Sequence, residues 1–167
     1  MTSARTRGFR TALFVSIALA IVAVDQLTKF WAEAELAGKG SIQIIGELLQ
    51  FRLAYNDAAA FSLGVGATWV LTSISLAATI AIIYFGPKAK TTVWSVIAGF
   101  ALGGAAGNLI DRAFKEPAFF NGYVVDFIQI PFNFPIFNLA DSFLVIGVGL
   151  AILRTMLGDE IGGGRAK

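Results

Sequence analysis

Four stretches of the chain are almost unbroken in apolar residues, and polar residues collect between them. A helix needs about 20 mostly apolar residues to cross a bilayer. The pattern therefore predicts four membrane spans, over 11–34, 67–85, 91–110 and 139–157. The first follows Arg5, Arg7 and Arg10. Alone it would pass for a secretory leader, with Ala32-Glu33-Ala34 as its cleavage site. Three further spans make it a first membrane helix instead. Gly86-Pro87 stops the second span, and Lys88 and Lys90 lie in the short loop that follows. Gly99, Gly103 and Gly107 recur at four-residue steps in the third span, a small-residue stripe that lets helices approach closely. Gly158 ends the fourth, and 158–167 reads as a flexible tail without a role.

Between the spans the period changes from helical to two. Gly38, Gly40 and Gly46 break residues 35–66, where Leu49, Phe51, Leu53 and Tyr55 alternate with Gln50, Arg52 and Ala54. That is a strand signal, and Ile42 to Ile45 is its expected hairpin partner, turning at Gly46-Glu47. Asn56 is placed to cap a short helix. In 111–138, Pro117 and Asn121-Gly122 mark a surface loop, and Tyr123 to Ile130 is short, β-branched and aromatic, a further strand. Pro131 and Pro135 bracket an irregular segment. The expected fold is one integral membrane domain over 1–167, mainly α: a four-transmembrane-helix bundle with a small extracytoplasmic β-sheet.

Composition agrees. Hydrophobic residues make up 56% of the chain and charged residues 14%, with a mean hydropathy of +0.73, too apolar for a soluble domain of this length. The chain has no Cys and no His, which removes cysteine nucleophiles, Ser-His triads and the usual zinc sites. No metal or cofactor is expected. The net charge of +2 comes without a basic stripe interleaved with aromatics, so no nucleic-acid partner is expected. Topology explains the positive charge. Arg5, Arg7, Arg10, Lys88, Lys90, Arg154, Arg165 and Lys167 share one side of a four-span chain, where the acids are only Asp159 and Glu160. The positive-inside rule puts that side, with both termini, in the cytoplasm. Segments 35–66 and 111–138 then face outward. Trp31 fits the aromatic belt at the interface.

Against this background the carboxylates stand out. Asp111, Asp126 and Asp141 are each embedded in apolar sequence, and Asp25 lies four residues from Lys29 near the outer end of the first span. An ionisable group at membrane depth costs roughly 2.5–3.5 kcal/mol on insertion scales. Plainer roles exist for each. Asp25 and Lys29 form an ion pair snorkelling to the interface. Asp141 closes a capping box with Asn138. Asp126 is salt-bridged to Arg112 or Lys115. The catalytic reading joins Asp126 and Asp141. Two adjacent carboxyls share one proton; the neutral member donates to a carbonyl while the ionised member takes a proton from water. The N-terminus of the fourth helix favours the charged form at Asp141. Asn108, Asp111 and Arg112 read as a supporting polar network. A proton- or ion-coupled transporter and a non-catalytic scaffold are the competing classes; clustering at one boundary and the lack of a repeat speak against the transporter.

The motifs Asp25-Gln26-Leu27-Thr28-Lys29, Tyr55-Asn56 through Ala60-Phe61, Gly107-Asn108-Leu109-Ile110-Asp111-Arg112, Val124-Val125-Asp126-Phe127 and Phe137-Asn138-Leu139-Ala140-Asp141-Ser142 occur in this order over nearly the whole chain. In this the chain resembles the bacterial lipoprotein signal peptidases (signal peptidase II). The resemblance implies an aspartic endopeptidase of the inner membrane with an extracytoplasmic β-cradle. It implies Asp126 and Asp141 as the catalytic pair, with Asn56, Asn108, Arg112 and Asn138 lining or bracing the site. The implied substrate is a diacylglyceryl-modified prolipoprotein, cut just before its lipobox cysteine, and membrane lipid is the other partner. A monomer is expected. One departure is visible: the family pattern reads Asn-x-Gly-x-Ala-Phe, and position 58 here is Ala, which adopts positive φ only at a cost.

Overall fold

The computed structural model describes residues 2–57 and 68–163. Ala58, the helix that Asn56 was expected to cap and residue 67 lie outside the described residues, as does the tail from residue 164. Four α-helices carry the chain: α1 (Thr2–Leu36), α2 (Thr68–Phe85), α3 (Thr92–Phe114) and α4 (Leu139–Met156). All four are long and apolar enough to cross a membrane. A three-stranded antiparallel sheet completes the fold, in the order β1 (Ile42–Ile45), β2 (Leu49–Asn56), β3 (Val124–Gln129).

Two helices run past the ends set by hydropathy. α1 begins well before residue 11, through Arg5, Arg7 and Arg10. α3 continues a turn beyond 110: Asp111 and Arg112, expected to close the helix, do so, and Ala113 and Phe114, expected in the loop, belong to it as well. Hydropathy marks where apolar sequence stops; backbone hydrogen bonding continues for as long as caps and packing sustain it.

α3 is the hub, packed on α1, α2 and α4. The glycines make this possible. A Cβ at Gly103 would stand 2.6 Å from Ile21 Cβ, and one at Gly107 would stand 2.6 Å from Asp25 Oδ2, so the stripe is the seam against α1. The next glycine, Gly104, turns to α4, where a Cβ would lie 2.4 Å from the Ala140 carbonyl oxygen. Small residues thus let two backbones close on α3 from different sides.

Polar side chains share the interior with apolar ones such as Phe14, Ile21 and Trp94, and many large apolar side chains face outward. Asp25, Lys29, Thr72, Asp111, Asp126 and Asn138 are buried, while Leu19, Phe30, Ile80 and Val145 are exposed. In water this arrangement would be unstable; in lipid the exposed apolar surface carries no penalty.

The sheet is docked on the end of α1 by three rings. Trp31 meets Phe51 and Phe127 edge-on, with centroids 5.4 and 6.2 Å away. β2 and β3 pair with Ala54 opposite Asp126 and Asn56 opposite Val124, so Asn56 and Asp126 are diagonal neighbours on one face. The loop before β3 folds back on α3: Gly122 N–H donates to the Arg112 carbonyl at 2.9 Å, and a Cβ at Gly122 would fall 2.2 Å from the Asp111 carbonyl oxygen.

The Gly104 contact is testable. Gly104→Ala is expected to destabilise the detergent-solubilised protein by about 1–3 kcal/mol, because backbone stands in the way. Gly149→Ala, with nothing within 4 Å, is expected to leave the thermal midpoint unchanged or raise it slightly. Equal midpoints for the two variants would contradict the close approach of α3 and α4.

Candidate active site

One ammonium organises the polar end of the bundle. Lys29 is fully buried, and its Nζ contacts Asp25 Oδ2 at 2.9 Å, Asp111 Oδ2 at 3.0 Å and Asn108 Oδ1 at 3.0 Å. Of the snorkelling pair weighed as the plainer role, the ion pair is present, but Lys29 turns inward across the α1–α3 seam, where two carboxylates and an amide oxygen accept from it. Gln26 reinforces the crossing, its Nε2 donating to Asp25 Oδ2 at 3.2 Å, to the Gly107 carbonyl at 3.1 Å and to Asp111 Oδ1 at 3.1 Å. Sequence reasoning had left Gln26 out of the site, although it lies inside the motif that begins at Asp25.

Each partner of Lys29 then grips a further element. Asp25 Oδ1 accepts from Ala140 N at 2.9 Å, in the first turn of α4. Asp111 Oδ2 accepts from Val125 N at 3.0 Å, which aligns β3 with α3. Asn108 Nδ2 donates to Asp141 Oδ1 at 2.7 Å.

Asn138 joins the two remaining carboxylates. It is the N-cap of α4: its side-chain oxygen accepts from Asp141 N at 2.9 Å, and its own backbone N–H donates to Asp141 Oδ2 at 3.1 Å. The capping box expected as the plainer role of Asp141 is thus present. The same Asn138 donates through Nδ2 to Asp126 Oδ1 at 2.6 Å and to Asn108 Oδ1 at 3.1 Å. Asp126 Oδ2 accepts from Asn56 Nδ2 at 2.9 Å across the sheet. Lys115, one salt-bridge partner considered for Asp126, is held instead by Glu33 at 2.6 Å. Arg112 is buried within electrostatic reach of Asp111, Asp126 and Asp141.

Asp126 and Asp141 line one cavity of about 460 Å³. Asn56 and Ser142 stand beside them; Ile130, Phe134, Phe137, Val145 and Ile146 form an apolar wall. Val145 is 70% exposed and Ile146 48%, so the cavity opens along the outer face of α4. Burial pushes the Asp126 carboxyl up to about 7; the negative charge of Asp141 adds to this, and the Asn56 and Asn138 amides pull the other way. A carboxyl with that value exchanges protons near neutrality. Among the described residues, no group of three or more His, Cys, Asp or Glu is arranged to hold a metal ion.

The chain's relatives agree with this architecture. Residues 17–157 match the family described as signal peptidase (SPase) II. A protein named lipoprotein signal peptidase from Leifsonia xyli subsp. xyli is 38% identical over 151 residues, covering 90% of this chain and 70% of that protein. A lipoprotein signal peptidase from Bifidobacterium longum subsp. infantis is 43% identical over 148 residues, covering 88% of this chain and 80% of its own. Two solved bacterial membrane enzymes superpose with TM-scores of 0.75 and 0.73, each at 33% identity, covering 86% and 88% of this chain and 87% and 94% of theirs. The chain belongs to the signal peptidase II family, the lipoprotein signal peptidases. It is a multi-pass membrane peptidase.

Lys29→Met leaves two carboxylates buried without their cation, and is expected to lower unfolding free energy by about 3–5 kcal/mol. Lys39→Met removes only the exposed pair with Glu35 at 3.6 Å and is expected to change it by less than about 0.5 kcal/mol. Denaturant unfolding in detergent reads both; a Lys29→Met protein as stable as its parent would refute the central position of Lys29.

Proposed function

We propose that the chain is an aspartic endopeptidase in which Asp126 and Asp141 hydrolyse the signal peptide of a diacylglyceryl-modified prolipoprotein, just before the lipobox cysteine. The observation that carries this reading is the shared cavity. Two carboxylates, bridged by Asn138, face a space whose apolar wall opens on the lipid-facing side of α4. A peptide whose cysteine carries acyl chains reaches that cavity from the bilayer, with its chains outside and its backbone within.

The chemistry follows from one proton shared by the pair. The proton belongs to the pair, and burial together with the neighbouring Asp141 charge, which push Asp126 up to about 7, favour its retention near neutral pH. Water lies between the carboxylates and the scissile carbonyl. The ionised member takes a proton from the water as its oxygen attacks, and the neutral member donates its proton to the carbonyl oxygen. Collapse of the tetrahedral intermediate returns a proton to the departing cysteine amine. The products are the signal peptide's new carboxylate and the lipidated N-terminus. Asn56, Asn108 and Asn138 hold the carboxyls in place, and Asp25, Lys29, Asp111 and Arg112 hold the asparagines and the elements that carry them.

The charge pattern along the chain supports a location for the site. With Arg5, Arg7, Arg10, Lys88, Lys90 and Arg154 on the inner side, both termini are cytoplasmic and the cavity lies at the outer boundary of the inner membrane. Lipid is a partner, and one chain suffices.

Cleavage of a diacylglyceryl lipobox peptide by purified protein tests the mechanism. Asp126→Asn and Asp141→Asn are each expected to lower kcat/KM by at least about 10³-fold while the thermal midpoint is retained; full activity in either sinks the assignment. A raised carboxyl keeps its proton below its value and loses it as pH rises through it, so the pair passes from one proton to none. The profile of kcat/KM is therefore expected to fall on the alkaline side with an apparent pKa of about 7. Chelators are expected to leave the rate unchanged; loss restored by a divalent ion would point to carboxylate–metal chemistry instead.

A further inference from the structure

At the opposite end of the bundle two cavities meet around the turn at Gly86–Lys88. One, of about 310 Å³, is lined by Arg7, Arg10, Lys88 and Lys90. The other, of about 480 Å³, shares Lys88, Ala89 and Lys90 with it and runs between α2 and α3. No acidic side chain lines either. On the C-terminal segment Asp159 is held by Arg154 at 2.7 Å, and Glu160 precedes Ile161, which lines the second cavity.

The second cavity is a groove with a direction. Its α3 wall is Trp94, Ile97, Ala98 and Ala101, spaced by three and four residues along one stripe. Ile82 and Phe85, three apart, form the α2 wall. It climbs about 10 Å from the basic turn into the apolar part of the bundle, at 1.5 Å per residue from Trp94 to Ala101. Two donors at its foot lack an acceptor among the described residues: Trp94 Nε1, on a side chain only 5% exposed, and Arg10 Nε. Two of the four cations are held in place. Arg10 Nη1 donates to the Lys90 carbonyl, and Lys88 Nζ stands 3.3 Å above the Tyr84 ring.

We propose that the two cavities form one site for an anionic phospholipid. Its phosphate lies among Arg7, Arg10, Lys88 and Lys90. One acyl chain lies along the groove between α2 and α3. Charge complementarity selects an anion, and the apolar groove continuous with it selects one that carries a hydrocarbon chain. The phosphate and ester oxygens supply the acceptors that Trp94 Nε1 and Arg10 Nε lack among the described residues. Trp94 is fourteen residues from Asn108, about 21 Å along α3, so this site is separate from the peptidase cavity and independent of its mechanism.

Native mass spectrometry and thermal shift of the full chain in detergent test the site, with phosphatidylglycerol, phosphatidylcholine of the same acyl chains, and inorganic phosphate as probes. Phosphatidylglycerol is expected to remain bound and to raise the midpoint, with neither effect from the other two. Lys88→Gln and Lys90→Gln are each expected to weaken its retention about fivefold. Ala98→Phe fills the groove with all four cations in place and is expected to abolish retention. Lys39→Gln, at the other end, is expected to change nothing. Cleavage activity without added lipid checks that each variant is folded; where a lysine variant fails to fold, Ala98→Phe decides. Equal retention of both lipids, full stabilisation by phosphate alone, or unchanged binding in the folded variants would each overturn the proposal. So would a gain above tenfold on truncation after Gly163, which would assign the groove to residues 164–167.

Discussion

A single buried ammonium fixes the geometry of this protein's polar end. Lys29 bonds three side chains from two helices, and each of the three reaches one step further: Asp25 to the first turn of α4, Asp111 to the backbone of β3, Asn108 to Asp141. A buried ion pair is weak support for stability against an apolar replacement, yet removing one partner is severe. What the arrangement supplies is specificity. Three elements distant in sequence can meet the ammonium's partners in only one alignment, and that alignment brings Asp126 and Asp141 to one cavity.

The same constraint explains the inversion of polarity. With so much hydrogen bonding capacity at the centre, helices must come close enough for short side chains to touch. The glycines of α3 allow it, on one side toward α1 and on another toward α4. Bulky residues are displaced outward, where lipid accepts them. The sheet joins α1 through rings, with Trp31, Phe51 and Phe127 packed edge to face, and α3 through the Asp111 carboxylate. A rigid platform results, and β3 carries Asp126 into the site from it.

Much of this was legible in the chain because the relevant signals are periodic or local. Hydropathy marks four spans at about the right places, and alternation at 49–55 marks β2. The motif around Asn138 announces a helix start, and the cap is there. Direction was not legible. A lysine four residues after an aspartate near a helix end reads equally well as pointing to headgroups or into the bundle; only the partners on α3 decide. Gln26 was missed for a related reason. It is one residue from Asp25, hence about 100° around the helix, and only its long side chain lets it join the same seam. The end of α3 was legible as far as Asp111 and Arg112; Ala113 and Phe114 were not, because two residues before a polar turn carry no period that tells a helix end from a loop.

Asn138 serves at once as the start of α4 and as the bridge between the two carboxyls. Its single amide cannot rotate to suit one duty without abandoning the other. The two carboxyls therefore come together only when the final span has wound its first turn against α3 and β3. With three spans in place Asp126 stands without Asp141 beside it, and the cavity they share is completed by the last helix of the chain.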